Sequence, residues 1–300
     1  MNRRNFIKRT SISGLAFAGA PFFIVKPHKK AVMDRIGLTT VVFRDRFSAT
    51  STTKDNIENE LSLLDIPTYF QDRFGIHNLE FWAKHFESTS AGYLKDIKNT
   101  LTKNKCQLID IQAESQFDIS DEDEEKRMKG IADMKSWIDV GAVLGSKFIR
   151  ISAMNKSYEK SVESLRIINE YAKKKGVKTL VENHFDLYSN PDNQLKIIGN
   201  IKDSNFGLLA DFGNYPPKTD KYEALKNIAP FTKLISAKTS DFDENMNHTS
   251  FDFRKCINIF KAANYQGIYS LEQWGKANPN YDYEKITDWM INEVKELLVS

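Results

Sequence analysis

Cysteine is nearly absent. Cys106 and Cys256 are the only two in 300 residues, far apart and in no ligand-like spacing, which leaves no disulfide framework and no thiolate zinc site. They read as two buried thiols. Beyond residue 30 there is no Gly/Ser linker, no low-complexity tract and no repeat of primary sequence. No Gly-x-Gly-x-x-Gly turn follows an apolar run, so the main signal of a dinucleotide fold is missing. The longest apolar stretch, about residues 12–25, is broken by Gly14, Gly19 and Pro21 and is too short for a comfortable membrane span. Basic surplus is also missing from most of the chain. The formal charge is +3, but residues 1–30 hold seven basic residues and no acid; taking those seven from 43 leaves 36 basic against 40 acidic, a net charge of −4. A mildly acidic body offers no electrostatic footprint for nucleic acid. With 41% hydrophobic and 28% charged residues, the body can bury a core.

The first thirty residues read as an address. Arg3 and Arg4 are followed by Phe6, Ile7 and Lys8, then by the short apolar stretch. The pattern resembles a twin-arginine export signal. It implies a partner, the export machinery, acting through residues 1–25, and a periplasmic destination; an uncleaved membrane anchor is the alternative. Residues 1–30 are set apart as signal and short linker, and 31–300 as one domain.

Secondary structure does repeat within that domain. Short apolar runs read as strands at 35–43, 78–82, 106–113, 147–153, 178–183, 206–212, 233–239 and 267–273. Helical spacing lies between them. Ile57, Leu61, Leu64 and Ile66 fall near one face; Met128, Ile131, Met134, Ile138 and Val143 make a stripe ending at Gly145; Val162, Leu165, Ile168 and Tyr171 make another, closing on three lysines and Gly176. Shorter helices are expected near 191–200 and 219–228. Eight strands alternating with eight helices imply parallel strands joined by right-handed crossovers. A closed (β/α)₈ barrel, the α/β TIM fold, is the economical solution; a doubly wound sheet is the alternative.

In a barrel the C-terminal strand ends converge on one mouth. Three ends carry an acid: Glu182 in "TLVENH", Asp211 in "GLLADFGN" and Glu272 in "YSLEQW". Three carboxylates in one mouth repel one another unless a cation compensates. A divalent metal held by oxygen and imidazole ligands is the simplest answer.

This constellation resembles the sugar phosphate isomerase/epimerase family, with its xylose isomerase-like barrel. The resemblance spans about residues 33–297 and includes "NLEFWAKHF", where Glu80, Trp82 and His85 fit the pattern, and "GAVLGSKFIRI". It implies metal-binding Glu, Asp, His and Glu at the ends of strands 5 to 8. Glu182, Asp211 and Glu272 match the first, second and fourth; Ser236 stands where the histidine is expected. Three readings follow: a divalent ion (Mn, Mg, Co or Zn) with three protein ligands and water; His184 supplying the nitrogen; or the ammonium of Lys238, on the same face as Ser236, in the cation's place.

The resemblance also implies chemistry. Glu182 and Glu272 would move a proton between adjacent carbons of a keto- or aldo-sugar through an enediolate. Asp211 would be a ligand, and His184, Asn214, Lys238, Glu80 and Trp82 would touch the substrate. The expected enzyme is an exported isomerase or epimerase acting on a small sugar, with a homo-oligomer left open. Alternatives are a lyase or dehydratase on the same barrel, and a metal-free, non-catalytic sugar-binding barrel. A metal-dependent endonuclease would need more histidines than these five and a basic groove.

Overall fold

The computed structural model describes residues 31–53, 56–152, 155–185, 187–275 and 281–299. The twin-arginine-like segment lies outside them. Eight parallel strands close in sequence order. They are β1 (Ile36–Thr39), β2 (Asn78–Trp82), β3 (Gln107–Gln112), β4 (Phe148–Ile151), β5 (Lys178–Glu182), β6 (Phe206–Asp211), β7 (Thr232–Thr239) and β8 (Tyr269–Gln273). β8 returns to β1 through Ile36–Tyr269 and Leu38–Leu271. The helices are α1 (Ile66–Phe74), α2 (Ala91–Lys103), α3 (Glu124–Leu144), α4 (Tyr158–Lys175), α5 (Pro191–Ile201), α6 (Lys221–Ile228), α7 (Phe253–Ala262) and α8 (Tyr283–Val299). Among the described residues no helix is long and apolar enough to cross a membrane.

The period of two along each strand divides the molecule into two cores. Outward residues such as Leu38, Leu79, Ile111, Ile149, Val181 and Leu208 pack under the helices in one large cluster. Inward, Ile109, Phe148, Leu180, Leu209, Leu234 and Ile268 form a separate apolar plug. Two residues further along four of those strands stand Arg150, Glu182, Asp211 and Ser236, and two further again come Lys238 and, on β8, Glu272. The barrel is therefore dry below and ionic above. β3 joins this layer after a bulge: Leu79 pairs with Leu108 but Glu80 with Asp110, leaving Ile109 as the extra residue.

Three expectations need correction. Residues 57–65 are not helical: Asn56 and Asn59 take left-handed backbone angles (φ 57° and 53°), and α1 begins only at Ile66, with Pro67 in its first turn. The first strand stops at Thr39, whose hydroxyl accepts the Val41 N–H and turns residues 40–46 into 3₁₀ turns. On α3 the buried line runs through Arg127, Ile131, Met134, Ile138 and Leu144, so Met128 and Val143 are exposed. The acidic start of α3 is as expected, with Asp123 capping two backbone N–H groups, and α3 and α4 stop at Gly145 and Gly176. Both cysteines are free thiols; Cys256 is buried and Cys106 partly so.

Candidate active site

The end of β5 shows how the "VENH" segment is used. Val181 points outward into the core and Glu182 inward. Asn183 exchanges two 2.8 Å hydrogen bonds with the Asp211 backbone: its amide donates to the Asp211 carbonyl and accepts the Asp211 N–H. This clamp fixes the ends of β5 and β6 together, so Glu182 and Asp211 are placed as a unit.

Glu182 is held at both oxygens. Arg150 Nη1 donates to Oε2 at 2.7 Å, and Asn214 Nδ2 donates to Oε1 at 3.1 Å. Glu272 is held likewise: Lys238 Nζ lies 3.0 Å from Oε1, and the Ser236 hydroxyl donates to Oε2 at 3.2 Å. Lys238 Nζ also donates to Asn214 Oδ1 at 2.9 Å and lies 3.9 Å from Asp211 Oδ2. Asp211 Oδ1 accepts the backbone N–H groups of Gly213 and Asn214 at 2.6 and 2.9 Å. A Cβ on residue 213 would meet Lys238 Cδ at 3.0 Å, so glycine there makes room for the lysine stem.

The surroundings push the two glutamates apart in acidity. Burial raises the Glu182 carboxyl, and Arg150 only partly offsets this. Burial would raise Glu272 too, but Lys238 and Arg150 outweigh it and hold that carboxyl below its usual range. Burial raises Asp211 to about 7 against the opposing effect of Lys238. It also lowers His184 to about 4, helped by Arg150 and Lys238, so the imidazole is neutral at neutral pH.

A cavity of about 320 Å³ opens over this layer, lined by Glu182, Glu272, Arg150, Gln112 and His184 on one side. Its wall includes Trp82 and Trp274, which meet edge to face at 5.8 Å. Such a half-polar, half-aromatic cavity suits a small polyol.

Of the residues expected to touch substrate, His184 and Trp82 do line the cavity. Asn214 and Lys238, 1% and 6% exposed, instead stand behind the glutamates and bond to them. Glu80 lies deeper, accepting a hydrogen bond from Gln112. Glu182, Asp211 and Glu272, expected as metal ligands, gather around Lys238, and among the described residues no group of three or more His, Cys, Asp or Glu side chains is arranged to hold a metal ion. His85 does not reach the mouth: it stacks on Phe47 at 3.7 Å, between Thr40 and Thr50. His248 accepts the Ser240 N–H and orders its own loop.

Arg150 escaped the sequence reading, although its signal is there. It is a charge at an inward position of the apolar strand "FIRI". Asp110, also inward and fully buried, was hidden by the β3 bulge.

The model of the xylose isomerase-like TIM barrel family matches residues 72–293. The chain belongs to that family. No curated protein matches the chain, but solved structures do. An L-ribulose 3-epimerase aligns with a TM-score of 0.69 at 16% identity, over 88% of this chain and 96% of its own. A 3-keto-D-glucoside 4-epimerase from E. coli, in its apo form, aligns with 0.65 at 16% identity, over 86% and 99%. A xylose isomerase-like barrel protein from Mycobacterium smegmatis, solved in complex with magnesium, aligns with 0.62 at 14% identity, over 88% and 97%. At these identities the likeness is one of fold, and two of these three neighbours are sugar epimerases.

Proposed function

We propose that this barrel is a sugar isomerase or epimerase that moves a proton at a carbon next to a carbonyl. The observation that carries the reading is the pair of glutamates lining one cavity with oppositely displaced acidities, which divides base from acid. Glu272, kept ionised, takes the proton from the carbon beside the carbonyl. The C–H electron pair becomes a C=C bond, and the carbonyl oxygen becomes an enediolate oxyanion. Arg150, lining the same cavity, faces that developing charge. Glu182, whose carboxyl burial shifts toward the protonated form, returns a proton to the opposite face, which inverts the carbon as the carbonyl re-forms. Neutral His184 is placed to hold a hydroxyl, and Trp82 and Trp274 the ring's apolar face.

The epimerase activities of structural neighbours, a ketose 3-epimerase and a keto-glucoside 4-epimerase, support the substrate class. The export-like residues 1–25 favour an unphosphorylated sugar met in the periplasm. The test is proton exchange. Incubated in D₂O with a panel of free ketoses and keto-glycosides, the enzyme is expected to wash deuterium into one carbon of its substrate, read by NMR. Glu272→Gln should abolish this. Exchange that survives in Glu272→Gln and Glu182→Gln alike rules the pair out.

A further inference from the structure

We infer that Lys238 is the resident cation of this site, standing where the fold family implies a divalent metal. The side chains present do not fit such an ion. A metal ligand must turn a lone pair toward the ion. Here each oxygen of Glu182 already accepts a hydrogen bond, from Arg150 at 2.7 Å and Asn214 at 3.1 Å, which leaves it one lone pair. Each oxygen of Glu272 is likewise engaged once, by Lys238 and by Ser236, so both carboxylates are oriented by donors of this chain. Ser236, in the position expected for an imidazole ligand, donates its proton to Glu272 and so acts with the opposite polarity to a ligand.

The charge balance points the same way. Arg150 and Lys238 together bring two positive charges into the layer of Glu182, Asp211 and Glu272, the charge of one divalent ion divided between two strands. Lys238 is 6% exposed, and its ammonium lies within 4 Å of two of the three carboxylates and is joined to the third through Asn214. Its stem fills the space beside Gly213. An ion centred between Asp211 and Glu272 would have to displace it, and the ammonium is held in place by Asn214 Oδ1 at 2.9 Å and Glu272 Oε1 at 3.0 Å, with Asp211 Oδ2 at 3.9 Å. Lys238 is accordingly a positioning residue, fixing Glu272 and, through Asn214, Glu182.

The measurement is metal binding, independent of any substrate. Full-length protein is titrated with Mn²⁺ and Co²⁺, following the melting temperature and the cobalt absorption bands, with metal content of the freshly purified protein taken by mass spectrometry. Wild type is expected to carry no stoichiometric ion and to show no saturable response up to about 1 mM, a limit corresponding to roughly −4 kcal/mol. In Lys238→Met, which removes the ammonium and keeps the stem's bulk, Co²⁺ affinity should rise at least about tenfold. A stoichiometric ion retained by the wild-type protein through dialysis overturns the inference. So does Co²⁺ affinity that Lys238→Met leaves unchanged or weakens. Should Lys238→Met fail to fold, the wild-type titration decides alone. None of these outcomes depends on which sugar is turned over.

Discussion

Arg150 and Glu182, on neighbouring strands, face the barrel interior and meet at 2.7 Å, with the arginine side chain 14% and the glutamate side chain 4% exposed. A buried ion pair of this kind adds little net stability, because desolvating both charges offsets their attraction. Its value lies in what the guanidinium can still do: it lines the cavity while anchoring one of the two carboxyls proposed to move the proton.

Replacing Arg150 by Lys keeps a charge but loses the planar fork. Turnover is expected to fall about a hundredfold, the scale of removing one oxyanion donor, with a smaller change in KM. Steady-state kinetics on the substrate found by deuterium exchange checks this. A variant within threefold of wild type removes Arg150 from the reaction.

The pH dependence has a defined shape. The proposed proton transfer needs Glu272 ionised and Glu182 protonated. Glu272 is held below its usual range, so the acid limb of kcat/KM should lie lower than an ordinary glutamate would place it. Glu182 is raised, so the alkaline limb should lie above the ordinary value. Ser236→Ala removes a donor to Glu272 and should move the acid limb to higher pH. A pH–rate profile with an unmoved acid limb contradicts the assignment.

Asp211 links stability to pH. Its native pKa, about 7, lies above the ordinary value of 3.8. The group's contribution is therefore complete below about pH 4 and lost as pH rises through 7. That loss is on the order of 4 kcal/mol. Asp211→Asn keeps an oxygen for the Gly213 and Asn214 N–H groups and cannot titrate. The variant should gain stability over wild type progressively between pH 4 and pH 8 in urea melts; parallel curves would refute the assignment.

Asn183→Ala strips the Asp211 backbone of both side-chain partners. With the site fully buried, the expected loss is roughly 2–4 kcal/mol in equilibrium unfolding. Turnover should fall as well, since Glu182 is positioned from the same strand end. A loss under about 0.5 kcal/mol would show that the clamp is not needed.

The barrel was legible because strand and helix periods alternate cleanly from β2 to β8. The start of the body, residues 31–65, was harder to read. Ile57, Leu61 and Leu64 mimic a helical face, and only the left-handed Asn56 and Asn59 reveal the loop. The acids of the mouth could be found because each ends an apolar run. Their compensating cations could not, since spacing along one strand says nothing about which charge on another strand it meets. Lys238 was visible beside Ser236; that it reaches Glu272 depends on the β7–β8 register, where the two residues are opposite each other. Arg150 needed the same three-dimensional fact.

Gly213 lends the site a vulnerability out of proportion to its size. A lone methyl group there would meet the aliphatic stem at 3.0 Å and push it by a few tenths of an ångström, toward longer contacts between the ammonium and its carboxylates. The reach of the tethered charge is therefore tuned by a position that contributes no functional group of its own.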